Sequence, residues 1–275
     1  MAAYCPEVVQ QLRQEILLRQ GCKPPSAAAV DMGLGPVAAA FPHGVFPTGT
    51  MHELLSDGPE GASASGAFAS ALLGPLMVRG GACIWIGARP NIFPPVLAAF
   101  GVEPDRVIFV DVRREKDGLW AVEEALKVEG LAAVVGEIRE VNFLVSRRFQ
   151  LAVEQSRVTG FLLRDRPRSR EPIATVARWQ ITPLPGGRVS MLPGVGFPRW
   201  SVELLRIRGG QPGKWELEWR EGKFHFIGDA EAAGVGDAGA AGVCDAGAAG
   251  VGEAGSAAGG MAGTAWAEKT RRKTG

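Results

Sequence analysis

Thr50-Met-His-Glu-Leu-Leu55, running into Ser56-Asp-Gly-Pro-Glu-Gly-Ala-Ser-Ala-Ser-Gly66, is the stretch on which the reading of this chain turns. A β-rich hexamer meets a glycine-rich turn, and a helix of small and apolar residues follows, expected from Gly66 to Arg79. That is the place of a phosphate loop. A working loop, G-x-x-x-x-G-K-[ST], needs glycines so that successive amides point inward, a lysine for the β and γ phosphates and a hydroxyl for magnesium. Counted from Gly58, the second glycine falls on Ser63, the lysine on Ala64 and the hydroxyl on Ser65. The ammonium is missing, and Asp57 and Glu60 add negative charge beside a triphosphate. The nucleotide position formed by Gly58, Ser63, Ala64 and Ser65 is therefore degenerate and expected to stand empty.

Outward from this point, β-rich and helical stretches alternate as far as Leu163: Ala82 to Gly87, Phe93 to Gly101, Arg106 to Val112, Gly118 to Glu129, Leu131 to Ile138, Asn142 to Arg157 and Gly160 to Leu163. Crossover connections of this kind give a mainly parallel sheet with helices on both faces, an α/β fold. After Pro172 the texture changes to strands Ala174 to Thr182, Arg199 to Arg208 and Lys214 to Arg220, separated by Gly and Pro turns such as Pro185-Gly186-Gly187. These are expected as antiparallel strands at the sheet's edge.

Toward the N-terminus, Val8, Val9, Leu12, Ile16 and Leu17 recur at three-to-four-residue spacing, which predicts an amphipathic helix in residues 1–21. Residues 22–45 are rich in Pro, Gly and Ala with little charge, and read as a linker or wrapping arm. Residues 46–227 form the α/β domain. Residues 228–275 are a Gly/Ala-rich tail with a basic end, expected to be disordered because such a composition buries too little apolar surface to offset chain entropy.

With 30 Lys+Arg against 29 Asp+Glu among 275 residues, the formal charge of +1 excludes a wholly basic nucleic-acid coat, so any DNA contact has to be local. Four scattered cysteines and three scattered histidines support neither a disulfide framework nor a metal site, and no cofactor is expected. No stretch reaches the roughly 20 apolar residues of a membrane span, and the N-terminus lacks a signal-peptide pattern; a cytoplasmic protein is expected.

Phe46-Pro-Thr-Gly49, the Gly58-Pro-Glu60 loop and Gly101-Val-Glu-Pro-Asp-Arg106 resemble the order of landmarks in a RecA-like P-loop NTPase core. The resemblance is closer still to the ImuA family, through Phe46 to Leu55, Leu119-Trp-Ala-Val-Glu-Glu-Ala-Leu126 and Pro198-Arg-Trp-Ser-Val-Glu-Leu-Leu-Arg-Ile-Arg-Gly-Gly-Gln-Pro-Gly-Lys-Trp215. It implies a RecA-derived accessory of SOS-induced mutagenic translesion synthesis. The implied partners are an ImuB-type Y-family-like protein and an error-prone DnaE-type polymerase, with RecA and single-stranded DNA as further candidates.

Two more places of a RecA-type site also depart from the pattern. Arg89 stands where a glutamate base belongs, and Gly136 stands at the Walker B aspartate with Glu137 one residue on; a one-residue offset reverses side-chain direction in a strand. Three departures together imply a pseudo-ATPase scaffold. Between Arg139 and Arg178 lie nine arginines against four acidic residues, densest at Arg164-Asp-Arg-Pro-Arg-Ser-Arg170. This is read as a loop at the carboxyl edge of the sheet, where the RecA resemblance implies a DNA-contacting loop, with Arg164, Arg166, Arg168 and Arg170 touching phosphate or an acidic partner. Leu12 and Ile16 on the N-terminal helix, and Trp200 and Trp215 on the edge strands, are partner-binding candidates; large aromatics in such strands also commonly fill a core. Two other readings stand beside the adaptor: an ATPase working through Ser63, Ser65 and Glu137, and a protein-only regulator such as a RecA-filament modulator or a SulA-like division inhibitor.

Overall fold

Residues 12, 15, 16, 30–88, 92–187 and 196–227 are described by a computed structural model of the protein. Nine strands build one sheet: β1 (Met51–Ser56), β2 (Cys83–Gly87), β3 (Val107–Asp111), β4 (Ala133–Glu137), β5 (Thr159–Asp165), β6 (Ala177–Gly187), β7 (Phe197–Ile207), β8 (Gly213–Arg220) and β9 (Lys223–Phe226). Their spatial order is β3-β2-β4-β5-β1-β6-β7-β8-β9. Every pair from β3 across to β6 is parallel, and the pairs from β6 to β9 are antiparallel. Three helices cover the parallel part: α1 (Gly58–Met77), α2 (Glu115–Leu126) and α3 (Phe143–Ser156).

Helices on both faces explain why β1 is buried at all six positions. On one face Phe68 and Leu72 of α1 pack with Trp85, Val135 and Phe161. On the other, Val122 and Leu126 of α2 and Phe149 and Val153 of α3 pack with Met51, Ile86, Val134 and Leu162. Beyond β1 the strands alternate: Trp215, Leu217 and Trp219 of β8 turn inward, while Lys214 and Glu216 face out. The core under α1 therefore continues beneath the antiparallel extension.

One expectation is corrected and two are made specific. The first strand after Pro172, β6, is parallel to β1 (His52 opposite Ala177, Leu55 opposite Gln180) and antiparallel only to β7, so the antiparallel part begins one strand later. The Phe93 to Gly101 stretch is a 3-10 helix over Pro94–Phe100, closed by Gly101 at φ 74°. Residues 30–45 form ordered structure, with 3-10 turns at Gly35–Ala40 and Pro42–Gly44. Met32, Leu34, Val37 and Phe41 are buried in the α1-side core, and the Phe41 ring meets Trp179 edge-on at 5.8 Å. The segment's low charge reflects apolar surface laid on the sheet, and its spacing follows that surface rather than a helix or strand period.

In the N-terminal helix, residues 12, 15 and 16 are helical, and Leu12 and Ile16 are each 52% exposed. Its remaining residues, Arg89 and the tail 228–275 lie outside the described residues. No helix among the described residues is long and apolar enough to cross a membrane.

Candidate functional site

The strand-to-helix connection after β1 is a single residue. Asp57 is extended (φ −126°, ψ 95°), and α1 begins at Gly58, about two turns earlier than the sequence suggests. A phosphate loop needs a run of non-helical residues whose amides curl around an anion; here those residues are already helical. Gly58 alone takes a left-handed φ of 86°, and the Arg166 guanidinium lies against its Cα where a Cβ would collide. The left-handed φ is what calls for glycine at 58, since the exposed Arg166 side chain can swing aside.

The residues counted onto the nucleotide motif scatter in consequence. Ser63 is exposed and returns its hydroxyl to the Pro59 carbonyl at 3.0 Å. Ala64 and Ser65 turn into the body of the protein, and the Ser65 hydroxyl is buried without a hydrogen-bond partner. Gly58, buried at the head of α1, donates its N–H to Asp165 Oδ1 at 2.6 Å. The Ser56 hydroxyl donates to the same oxygen at 3.4 Å. An internal carboxylate therefore takes the amide at which an anion would sit, and its charge opposes a second anion there.

Glu137 ends β4 on the α1-facing side, with Val135, while Gly136 faces α2 against Val122. The offset that moved the acidic residue off the Walker B position thus still leaves a carboxylate facing the cleft. It accepts a hydrogen bond from Trp85 Nε1 at 2.7 Å. Ser56, Ala62, Ala88, Glu137, Arg139, Leu163, Asp165 and Arg166 line a cleft of about 530 Å³.

The arginine run divides. Arg164 lies within β5, 1% exposed, and its guanidinium donates to Glu53 Oε1 at 2.5 Å, to the Arg139 carbonyl at 3.0 Å and to the Ser169 carbonyl at 3.2 Å. It is a structural cation, which corrects its assignment to a contact surface. Arg178 of β6 donates to Glu53 Oε2 at 2.6 Å and to the carbonyls of Arg170 and Glu171. Arg139 adds a bond to the Arg166 carbonyl at 2.8 Å. Three arginines thus hold the backbone of the loop. Arg166, Arg168 and Arg170 are exposed, Arg170 pairing with Asp57 at 2.7 Å. Glu140 accepts from the Arg168 amide at 2.8 Å.

Trp200 is buried against Phe68 and Phe224 and Trp215 is buried in the same core, so the core reading holds for both and neither is available to a partner. Sequence reasoning missed Glu53, Asp165 and Arg178. A glutamate inside the apolar run of β1 was the available signal, because a fully buried charge requires a partner.

No protein-family model matches the chain. In two strains of Caulobacter vibrioides, NA1000 / CB15N and ATCC 19089 / CIP 103742 / CB 15, a protein named Protein ImuA is 37% identical over 197 residues, 67% of this chain and 81% of that protein. The crystal structure of the RadB recombinase superposes with a TM-score of 0.52 at 14% identity, covering 72% of this chain and all of the recombinase, which establishes the RecA-like core. The chain belongs to the ImuA family, within the mutagenesis and translesion-repair system.

Proposed function

We propose that this protein is a non-catalytic, DNA-damage-induced accessory of mutagenic translesion synthesis. It works by docking an ImuB-type Y-family-like protein and an error-prone DnaE-type polymerase, with Arg166, Arg168 and Arg170 contacting single-stranded DNA. The observation that carries this reading is the Gly58 amide held by Asp165 at the head of a helix that has absorbed the phosphate loop. Phosphate binding there needs free amides and a lysine. The exposed arginines, with no aromatic between them, suit weak and salt-sensitive backbone contact. Glu137, facing the cleft, is the feature that favours an ATPase instead.

Titration with labelled ATP and magnesium separates the two. The adaptor gives no saturable binding at millimolar nucleotide, and its assembly with the purified partner proteins is unchanged by ATP. Saturable binding with phosphate release would establish the enzyme.

A further inference from the structure

Of the three exposed guanidiniums on the loop after β5, Arg170 alone is held in an ion pair among the described residues. Its Nη2 donates to Asp57 Oδ1 at 2.7 Å, and Gln180 Nε2 donates to the other carboxylate oxygen at 3.2 Å. This pair is not what positions the loop. Arg178 holds the Arg170 carbonyl at 2.8 Å and the Glu171 carbonyl at 2.7 Å, Arg164 holds the Ser169 carbonyl at 3.2 Å, and Glu140 accepts from the Arg168 amide. All of these bonds remain when the Arg170 side chain lets go. With its two side chains 55% and 57% exposed, the pair adds little to stability in water.

Asp57 also has another place to go. It stands at the N-cap of α1 in extended backbone, where an aspartate ordinarily accepts from the amide two or three residues on. Pro59 has no N–H, which leaves Glu60, yet the Asp57 side chain makes no capping bond. Its carboxylate is turned to Arg170 instead. A phosphate that takes Arg170 does not strand Asp57, because the Glu60 amide and the positive end of the helix are there to receive it. The surroundings are otherwise close to neutral: Glu140 lies 3.7 Å from Arg139, Asp165 is engaged by Gly58 and Ser56, and Glu171 has no ion pair among the described residues. Release of Arg170 adds a cation to this surface without moving the backbone.

We propose that the Arg170–Asp57 pair is an autoinhibitory latch. Asp57 competes with the phosphates of single-stranded DNA for the guanidinium, so the loop presents Arg166 and Arg168 at rest and Arg170 as well when engaged. This deepens the DNA contact proposed above and rests on it.

The test is the anisotropy of a fluorescein-labelled thymidine oligonucleotide of about 20 nucleotides, titrated with the full chain at low salt. Asp57→Asn keeps a capping oxygen and removes the competing charge. It is expected to tighten binding about two- to fivefold, the worth of an exposed ion pair. The slope of log affinity against log salt should steepen by about 0.7, one further phosphate contact. Asp57→Ser, which also caps, does the same, and both gains vanish in an Arg170→Ala background. Glu171→Gln removes an equal charge beside Arg170 without breaking a pair, and gives less. No gain from Asp57→Asn, an equal gain from Glu171→Gln, or a gain that survives Arg170→Ala overturns the latch. In each of those cases, binding by the parent that Arg166→Ala/Arg168→Ala abolishes leaves the DNA contact standing. If neither the parent nor Asp57→Asn binds the oligonucleotide, the DNA contact fails and the latch with it.

Discussion

Glu53 carries more of the site than any residue singled out from the sequence. It is fully buried between Arg164 and Arg178, and those two guanidiniums in turn hold the carbonyls of Ser169, Arg170 and Glu171. Removing one partner from a buried ion cluster leaves the others desolvated and uncompensated. Glu53→Gln is therefore expected to cost about 3–5 kcal/mol in urea denaturation, and to loosen the loop. Arg168→Ala, on the exposed tip, should fall within about 0.5 kcal/mol of the parent. Equal costs for the two would contradict the division of the arginine run into buried clamps and exposed contacts. In the sequence all four arginines of the run look alike. The alternation of β5 separates them, because Arg164 turns to the α2 and α3 side and Asp165 to the other.

At the scale of elements, α1 decides the nucleotide question. Its helical phase turns position 64 toward the core, so restoring the motif lysine there cannot restore its function. Ala64→Lys is expected to leave ATP binding absent and to lower stability by roughly 2–4 kcal/mol, the cost of forcing a cation into an apolar site. Nucleotide titration and a denaturation curve on the same sample check both halves. Gain of ATP binding would mean that the first two turns of α1 unwind into a loop. The order of strands and helices from β1 to β8 was legible from periodicity, but β9 was not, and the antiparallel pairing begins one strand later than the change of texture near Pro172 suggests. The start of α1 was not: Gly58, Gly61 and Gly66 read as loop glycines, whereas Gly61 sits where its helix passes close to Ser56. For residues 30–45 the sequence could not separate a linker from a wrapping arm, since a segment that follows the core's surface shows no period of its own.

Stability of the whole molecule should fall on mild acidification. His52 is buried between Phe46 (centroids 4.5 Å apart) and Phe161 (5.4 Å), and its Nε2 donates to the Pro47 carbonyl at 2.8 Å. Burial pushes its pKa from 6.5 down to about 4, so the folded state keeps it neutral where the unfolded chain is protonated. The unfolded state then binds more protons below pH 6.5, and this contribution to stability is complete above that value and lost as pH falls toward 4. From pH 7 to pH 5 the loss is about 2 kcal/mol. Urea midpoints across that range should show it, and His52→Gln should flatten the slope; an unchanged slope would place the titration elsewhere.

By itself the amino-acid sequence determined the RecA-like α/β class, the missing lysine and the local excess of arginine. Each of these is a matter of residue type and spacing along the chain, and neither changes on folding. Tertiary structure alone decided that the phosphate loop is the head of a helix, that an aspartate more than a hundred residues away holds its first amide, and which arginines and tryptophans face water. Those outcomes depend on helical phase, strand register and packing between distant segments, which pair residues across space in a way that their order does not specify.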